Sequence, residues 1–367
     1  MLKLVVLLGL SLAISALVIP ATDSRIYATE QNWYKDASGF LETINSGAYI
    51  KVRFNGTSFK LNLDDTYKKT AGTLAWSIDD GPEQNVSIPV ASNDITIASG
   101  LNKDAIHSLY LFIRWHATGD RWYNVDTRLR IQSITVDDGA TLFAPTLAPK
   151  SLMVYWDSIG EGYNVLGKGS WQAAHDSHLT WAFAVALGLN AELSLVAFSG
   201  QGYSKGGAGS SPKLYDASGL SNESAWNWLS GNRKRTFTTC PDYILNGHGT
   251  NDAHADQTIV YNNSLGWLRD VRKACPKTHV FISVPFGRFC EDALVKAYND
   301  YQAGSSDTLT HLIQMGDQGS PGLQGQGASF TSVDGIHPWA WKSSQLGSLL
   351  VAKMVPYIRS SYHLMEM

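Results

Sequence analysis

Between residues 24 and 140, apolar and polar residues alternate with the period of two that is typical of half-buried strands. Two of these runs flank Asn55 and Gly56, a turn dipeptide, and predict a hairpin with one buried face. Because we find no comparable helical period in the segment, we expect an antiparallel, jelly-roll-like β-sandwich. The positions predicted to face its core are Ala48, Ile50, Val52, Phe54, Phe59, Leu61, Leu63, Leu74, Trp76, Ile78, Val86, Ile88, Val90, Leu129, Ile131, Ile134 and Val136.

The pattern changes after residues 141–150, which contain Pro145 and Pro149 and are typical of a linker. From residue 151 to residue 367, short apolar runs alternate with segments whose apolar residues recur at helical spacing. This alternation predicts a second domain with a parallel sheet covered by helices on both sides. The helical faces are formed by Trp181, Ala184, Val185, Gly188 and Leu189, by Leu265, Leu268 and Val271, and by Leu346, Leu349, Leu350 and Met354.

Polar residues and glycines follow three of the apolar runs in this second domain. Residues 153–156 end at Asp157-Ser158, residues 196–198 end at Ser199-Gly200, and residues 243–245 precede the segment Gly249-Thr250-Asn251-Asp252. A fourth polar group, Asp334-Gly335-Ile336-His337, lies further along. Because the carboxyl ends of parallel strands meet at one edge of a sheet, these groups are candidates for a single site. Ser158 is the candidate nucleophile, and the other groups contain a candidate base, orienting carboxylate and oxyanion donors.

The four groups, in this order, resemble the conserved blocks of the SGNH or GDSL hydrolases. The sandwich that precedes them makes the two-domain layout similar to carbohydrate esterase family 2, whose members remove O-acetyl groups from plant polysaccharides or glycosides. The resemblance implies a three-layer α/β/α hydrolase domain over residues 151–367. We expect no cofactor.

The resemblance assigns a role to each matched residue. Ser158, His337 and Asp334 correspond to nucleophile, general base and orienting carboxylate. The backbone N–H groups of Ser158 and Gly200 and the side-chain amide of Asn251 correspond to oxyanion donors. Most of these residues also have a plain structural alternative: Asp157, Ser158 and His337 suit helix caps, and Asp334-Gly335 and Asn251-Asp252 suit turns.

Trp156 departs from the family pattern, which usually has glycine before the Asp-Ser pair. Its indole could narrow a pocket, form a sugar platform or fill the core beside the strand end. Three further aromatic residues, Tyr163, Tyr203 and Trp339, lie beside the matched groups in sequence. We consider all four to be candidates for substrate binding, with core packing as the alternative for each.

The composition excludes several other functions. The chain has 367 residues, of which 44% are hydrophobic, and its formal net charge is −3 from 29 Lys and Arg against 32 Asp and Glu. No basic run is present, so we expect no nucleic-acid partner.

The sequence contains no convincing metal-ligand pattern: His175 with His178, and His248 with His254 and Asp256, are not spaced in such a pattern, and we expect no metal. The glycines between 200 and 209 lack the spacing of a phosphate-binding loop.

Residues 1–22 contain one charge, Lys3, then an apolar run from 4 to 19, then Pro20 and Ala21. This order predicts a secretory signal peptide, with a membrane anchor as the alternative. We expect a secreted, extracellular protein with no membrane association after cleavage.

Secretion permits disulfides and, in a eukaryotic route, glycosylation. Cys240 and Cys275 each precede an apolar strand run, so a bridge between them is reasonable if those strands are parallel neighbours; pairings with Cys290 remain open. Sequons predict glycans at Asn55, Asn85, Asn222 and Asn262.

Together these features predict a secreted serine esterase, similar to acetyl xylan esterases, that acts on acetylated polysaccharide or oligosaccharide. Two alternatives remain at this stage. One is a GDSL-type lipid esterase or lysophospholipase, and the other is a non-catalytic carbohydrate-binding protein.

Overall fold

The computed structural model describes residues 16–64, 72–88, 93–116, 119–169, 171–315 and 333–365. Residues 1–15, which hold most of the predicted signal peptide, lie outside the described residues. Within the described ranges, no helix combines the length and the apolar character needed to cross a membrane.

The N-terminal region forms two antiparallel sheets that pack face to face. The first sheet has the order β3-β4-β11-β6-β9, with β1 also paired to β11; its strands are β1 (Ala16–Pro20), β3 (Tyr34–Lys35), β4 (Leu41–Thr43), β6 (Phe59–Leu63), β9 (Asp94–Ala98) and β11 (Leu129–Asp137). The second has the order β12-β5-β10-β7-β8, with β2 also paired to β5; its strands are β2 (Tyr27–Ala28), β5 (Tyr49–Asn55), β7 (Gly72–Ile78), β8 (Gln84–Ile88), β10 (Ile106–His116) and β12 (Leu142–Phe143).

The predicted hairpin around Asn55 and Gly56 is wrong. Strand β5 pairs with β10 and β12 in one sheet, whereas β6 pairs with β11 and β9 in the other. The chain crosses between the sheets at Gly56, whose φ of +119° favours glycine. The rings of Phe54 and Phe59 face each other across the core with centroids 4.9 Å apart. Alternation places every second side chain in the core in either arrangement, so it does not distinguish neighbouring from facing strands.

An irregularity in β11 explains a change of phase in the sequence pattern. The apolar residues Leu129 and Ile131 are followed by Ile134 and Val136, which breaks strict alternation. The register between β11 and β6 shifts between Ile131 and Ser133. The extra residue of such a bulge lets all four apolar side chains reach the core, where each is at most 1% exposed.

Strand β1 lies inside the segment predicted as a signal peptide. It pairs with β11 from Ala16 opposite Asp137 to Pro20 opposite Ser133. Ile19 and Ala21 are buried in the sandwich. Residues 16–21 are therefore part of this domain in the structure.

The C-terminal region forms a five-stranded parallel sheet in the order β14-β13-β17-β18-β19. Its strands are β13 (Lys150–Trp156), β14 (Ala191–Ala197), β17 (Tyr243–Asn246), β18 (His279–Val284) and β19 (Thr310–Gln314). A separate two-stranded ribbon contains β15 (Trp228–Ser230) and β16 (Arg233–Lys234). The helices are α1 (Ser158–Glu161), α2 (Trp171–Ala174), α3 (Trp181–Gly188), α4 (Gln257–Ala274), α5 (Glu291–Ala303) and α6 (Ala340–Met365).

Helices cover both faces of the parallel sheet. Helices α3 and α6 pack together on one side, and α4 and α5 pack together on the other. The interior strand β13 sends Leu152, Val154 and Trp156 to the first layer and Met153 and Tyr155 to the second. Both of its faces are buried, as expected for an interior parallel strand. The predicted fold class, a three-layer α/β/α domain after a β-sandwich, is confirmed.

The two domains are joined by buried hydrogen bonds at the outer edge of the parallel sheet. The side-chain amide of Asn32, in the sandwich, donates to the carbonyl oxygen of Leu195 at 2.8 Å and accepts from the Leu195 N–H at 3.0 Å. Asn32 is 1% exposed. Because β14 is an edge strand, the Asn32 side chain occupies the position that a further strand would take.

Candidate active site

The first candidate residue lies where β13 ends. Asp157 caps helix α1, its side chain accepting a hydrogen bond from the Ile159 N–H at 3.0 Å, and Ser158 is the first helical residue. The helix ends at Gly162, which has φ +84°; a Cβ there would lie 2.2 Å from the Asp176 carbonyl oxygen. This short turn holds Ser158 at the rim of the sheet, with 8% of its surface exposed.

His337 and Asp334 lie directly beside Ser158. The His337 Nε2 atom is 2.8 Å from the Ser158 Oγ atom, and His337 Nδ1 is 2.7 Å from Asp334 Oδ2. The other carboxylate oxygen of Asp334 accepts from the backbone N–H groups of Ile336 and His337 at 3.2 and 2.9 Å. The Asn164 side chain adds a 3.1 Å hydrogen bond to Asp334 Oδ2. The carboxylate is thus fixed on both sides.

Opposing effects act on the pKa of Asp334. Partial burial raises this pKa. Hydrogen bonds from the His337 ring and the His337 backbone N–H lower it, as do the His337 charge and the hydrogen bond from the Asn164 amide, and together these effects outweigh burial. The pKa lies well below its usual range. Asp334 is therefore negatively charged at neutral pH, facing the ring nitrogen of His337 that points away from the serine.

Residues that follow the other two strands reach the same rim. After β14, Ser199 donates its backbone N–H and its hydroxyl to Glu161 Oε2 at 2.7 and 2.6 Å. The next residue, Gly200, has φ +79°, and a Cβ placed there would meet nothing within 4 Å. The Gly200 backbone therefore borders open space.

After β17, a short 3₁₀ helix at Thr250–Asp252 places Asn251 against the turn that carries Asp157 and Ser158. Its amide nitrogen donates to Asp157 Oδ2 at 3.1 Å and to the Gln201 carbonyl oxygen at 3.0 Å. Both amide hydrogens thus have acceptors in this structure. Asn251 can donate to a further oxygen only by exchanging one of these bonds.

Asp157, next to the candidate nucleophile, is completely buried. Burial has the largest effect on its pKa and raises it. The hydrogen bond from the Ile159 N–H and the charge of His337 lower the pKa, and the nearby charge of Asp252 raises it. The resulting pKa is about 7. A carboxyl group with a pKa near 7 changes charge in the neutral range.

Two of the aromatic candidates are not available to a substrate. Trp156 is 0% exposed, because its indole packs on Trp181, with centroids 4.3 Å apart, and on Phe286 at 5.5 Å. Tyr203 is also 0% exposed, and its hydroxyl accepts from the Asn246 side chain at 2.8 Å. The prediction that these two residues bind substrate is wrong, because both side chains point into the core.

The other two aromatic candidates are half-buried. The Tyr163 ring lies 4.9 Å from the His337 ring and 4.2 Å from the His175 ring. Trp339 packs over Gly167, where a Cβ would lie 3.4 Å from the indole. Tyr163 borders the site through His337, and Trp339 lies two residues after His337 in the sequence, so both remain candidates for substrate contact.

Sequence reasoning did not select Glu161, Asn164 or Arg121. Glu161 contacts Ser199, Asn164 contacts Asp334, and Arg121 of the sandwich domain contacts Glu161. The one signal available was the position of Glu161, three residues after Ser158 and therefore on the nucleophile turn. Nothing in the sequence indicated that Arg121 would reach it.

The remaining predicted positions are the three cysteines and the four sequon asparagines; the Cys290 thiol lies 3.2 Å from the Asp252 carbonyl oxygen, beside the segment that carries Asn251. Cys240 and Cys275 form a disulfide with Cα atoms 5.6 Å apart, and Cys290 is a free thiol. Asn85, Asn222 and Asn262 are exposed and Asn55 is half-buried. In the described ranges, no group of three or more His, Cys, Asp or Glu side chains is arranged to hold a metal ion.

Comparisons with known proteins match both domains. Residues 37–145 match the family model described as Carbohydrate esterase 2 N-terminal. The curated protein Cellulase/esterase CelE of Acetivibrio thermocellus is 23% identical over 292 residues, which are 76% of this chain and 34% of that protein. The chain thus spans about a third of the length of this curated relative.

Solved structures share the fold over almost the whole chain. A family two carbohydrate esterase from Cellvibrio japonicus has a TM-score of 0.73 at 16% identity, covering 94% of this chain and 98% of that one. A family two carbohydrate esterase from Clostridium thermocellum in complex with cellohexaose has a TM-score of 0.71 at 18% identity, covering 91% and 99%. An acetyl xylan esterase from the rumen bacterium Butyrivibrio proteoclasticus has a TM-score of 0.68 at 16% identity, covering 95% and 100%. These matches confirm the predicted resemblance to carbohydrate esterase family 2.

Proposed function

We propose that this protein is a serine esterase that removes O-acetyl groups from carbohydrate, with Ser158, His337 and Asp334 as its catalytic triad. The observation that carries the proposal is the pair of contacts made by His337, 2.8 Å to the Ser158 hydroxyl and 2.7 Å to the Asp334 carboxylate. Each contact is within the range needed for proton transfer and for orientation of the imidazole.

The geometry supports an acyl-transfer mechanism. His337 takes the hydroxyl proton as Ser158 Oγ attacks the ester carbonyl carbon, and the same proton then goes to the departing sugar oxygen. Asp334 stabilises the imidazolium that forms between these two steps. A water molecule, deprotonated by His337, attacks the acetyl-enzyme and releases acetate, which restores the serine.

The tetrahedral intermediates carry a negative oxygen that needs donors. We assign this role to the backbone N–H groups of Ser158 and Gly200 and to the Asn251 amide. For Asn251, the assignment requires that its bond to Asp157 or to the Gln201 carbonyl be exchanged for one to the oxyanion. The protonated form of Asp157, which accepts less well than the carboxylate, favours that exchange.

The substrate class rests on similarity and on the two aromatic side chains beside the site. The similar structures are described as carbohydrate esterases, one bound to cellohexaose and one described as an acetyl xylan esterase. We propose that Tyr163, whose ring lies 4.9 Å from the His337 ring, and Trp339, two residues after His337, contact a sugar ring next to the scissile ester. We propose an acetylated polysaccharide or oligosaccharide as the substrate, encountered outside the cell after secretion.

One observation favours the lipid-ester alternative. Ile336 and Trp341, on either side of His337 in the sequence, are 44% and 45% exposed. Exposed apolar side chains next to a site can contact an acyl chain. Rates on p-nitrophenyl esters from acetyl to octanoyl decide between the two, since a rate that falls with chain length supports the acetylesterase and a rising one supports the lipid esterase.

The main test is the hydrolysis of p-nitrophenyl acetate by the wild-type protein and by Ser158→Ala. We expect loss of hydrolysis in the variant, whereas equal rates above background would contradict the proposal and leave non-catalytic carbohydrate binding as the alternative. Release of acetate from acetylated xylan, mannan and pectin, with mass analysis of the products, then identifies the polysaccharide.

A further inference from the structure

Glu161, the last residue of the nucleophile helix α1, is a buried carboxylate that connects both domains. It is 1% exposed. Its Oε1 atom accepts hydrogen bonds from Arg121 and, at 3.3 Å, from the Ser46 hydroxyl, both in the sandwich domain. Its Oε2 atom accepts the backbone N–H and the hydroxyl of Ser199. Four donors therefore use the acceptor capacity of one carboxylate.

Arg121, like the carboxylate that it contacts, is buried and has contacts on several sides. It is 0% exposed, it donates to the His116 carbonyl oxygen at 3.1 Å, and its guanidinium lies 4.9 Å from the centre of the Phe198 ring. A Cβ at Gly209 would lie 2.5 Å from the Arg121 side chain, so the loop packs on Arg121 only with glycine there. Arg121 thus contacts residues on both sides of Ser199 and Gly200 in the sequence.

The loop that carries Gly200 has further connections to the sandwich domain. The Ala208 N–H donates to the Ser199 carbonyl oxygen at 2.7 Å, and the Trp122 N–H donates to the Gly209 carbonyl oxygen at 2.9 Å. Ser199 is consequently fixed through its N–H, its hydroxyl and its carbonyl. The direction of the following N–H, that of Gly200, depends on these bonds, because Gly200 itself has the freedom of a glycine at φ +79°.

We propose that Arg121 and Ser46 of the sandwich domain are positioning residues for catalysis, and that they act through Glu161 to hold the Gly200 N–H in the oxyanion hole. This inference rests on the proposed function. It makes the sandwich domain a part of the catalytic centre and not a separate binding module. Glu161 positions two strand ends at once, because its own backbone continues the Ser158 turn and its side chain fixes the Ser199 loop.

A second ion pair between the domains provides a matched control. Lys51 of the sandwich lies 2.7 Å from Glu192 of β14, and Glu192 contacts no residue of the Ser158–His337 site. If ion pairs between the domains only contribute to stability, loss of the Arg121–Glu161 pair and loss of the Lys51–Glu192 pair should affect kcat in the same way. If the Arg121–Glu161 pair positions the oxyanion donor, only its loss changes the chemical step.

The test compares Glu161→Gln, Arg121→Met, the double variant and Lys51→Met. A glutamine has one acceptor oxygen for donors at both ends, so Glu161→Gln leaves either Arg121 or Ser199 without its partner. We expect kcat for p-nitrophenyl acetate to fall about 10-fold to 100-fold with KM changed less than about 2-fold. The double variant should be no slower than the slower single variant, because both act through one chain of contacts. Lys51→Met should keep the wild-type kcat.

A serine-directed boronic acid gives a readout that a purely structural role would not change. Its tetrahedral adduct with Ser158 places an oxygen in the oxyanion hole, so its Kd should rise by the same factor by which kcat/KM falls. Ser199→Ala, which keeps the backbone N–H and loses only the hydroxyl, serves if the charged variants fail to fold. We expect a smaller change in the same direction for Ser199→Ala.

The outcomes separate this inference from the proposed function. Unchanged kcat and boronate Kd in folded Glu161→Gln, or in Ser199→Ala if the former does not fold, would overturn the positioning role while Ser158-dependent hydrolysis stands. Equal losses of kcat in Lys51→Met would also overturn it. Absence of Ser158-dependent hydrolysis in the wild-type protein would overturn the proposed function, and this inference with it.

Discussion

The Nε2 atom of His337 lies 2.8 Å from the Oγ atom of Ser158, although the two residues are 179 positions apart in the sequence. Strand β13 delivers the serine, and the turn before α6 delivers the histidine. Because a hydrogen bond already joins the two groups, proton transfer between them needs no change of structure.

Replacement of Ser158 by alanine removes the proposed nucleophile while leaving the capping residue Asp157 in place. We expect hydrolysis of p-nitrophenyl acetate to fall by roughly four to six orders of magnitude. Ser348→Ala, an exposed position on α6 whose hydroxyl donates to the Ser344 carbonyl oxygen one turn earlier, is the matched control and should keep wild-type activity. Residual Ser158→Ala activity within 10-fold of wild type would show that another group performs the reaction.

Replacement of Asn251 by alanine tests the proposed third oxyanion donor. We expect kcat to fall about 100-fold to 1,000-fold, with little change in KM, because the donor acts on charge that develops only in the transition state. The measurement is steady-state kinetics on p-nitrophenyl acetate, with thermal unfolding as a check of folding. A fall of less than about 3-fold would mean that the amide serves only to bind Asp157 and the Gln201 carbonyl.

Asp157 should make stability depend on pH in a direction opposite to that of most carboxylates. Its pKa is raised by burial from 3.8 to about 7 in the folded chain, so between these values the native state binds more protons than the unfolded state. This contribution to stability is fully present below pH 3.8 and is lost as the pH rises to about 7.

The measurement for Asp157 is the free energy of unfolding of the wild-type protein minus that of Asp157→Asn, from denaturant titrations between pH 4 and pH 9. The difference should fall by up to about 1.4 kcal/mol per pH unit between pH 4 and pH 7 and should be constant above about pH 8. A difference independent of pH would show that the carboxyl does not titrate in this range.

The bridge between Cys240 and Cys275 closes a loop with a sequence separation of 35 residues. Its loss should lower the free energy of unfolding by about 2–4 kcal/mol, chiefly because the unfolded chain gains freedom. A reducing agent should therefore lower the melting temperature of the wild-type protein and of Cys290→Ser. The same agent should have no effect on the double variant Cys240→Ser/Cys275→Ser, and an equal effect there would contradict the prediction.

The position of strand β1 predicts where a signal peptide would be cleaved. If a signal peptide is removed on secretion, cleavage should leave Ala16 to Pro20 on the mature chain, because these residues pair with β11 and Ile19 is buried. N-terminal sequencing of secreted protein measures the cleavage site. A mature chain that begins at or after residue 21, with unchanged thermal stability, would show that β1 is dispensable.

The sequence predicted that the residues after three strands meet at one edge, because in a parallel sheet the chain direction alone brings carboxyl ends together. The position of His337 and Asp334 at that edge was expected only from the resemblance to a known family. The sequence could not distinguish paired strands from facing strands, as β5 and β6 show, since both arrangements bury alternate side chains. The direction of Trp156 was equally undetermined. An aromatic residue at a strand end can point to the rim or to the core, and the neighbours that decide, Trp181 and Phe286, are distant in the sequence.

The contact between Arg121 and Glu161 could not be predicted from the sequence for another reason. It depends on how two separately patterned domains dock, and no local periodicity carries that information. Both residues would be expected at the surface, since charged side chains are rarely buried unless paired. Only the docked arrangement gives each of them its partner.

The amide of Asn32 has a consequence for engineering. With the sandwich cut away, β14 would present a bare row of N–H and C=O groups to solvent, a template on which other chains can aggregate. The hydrolase domain therefore cannot be moved to another protein unless the β14 edge is covered there. A chimera that moves it to another protein needs groups that replace Asn32 at Leu195 and the Tyr49 hydroxyl at the Leu193 N–H, and we expect an insoluble product without them.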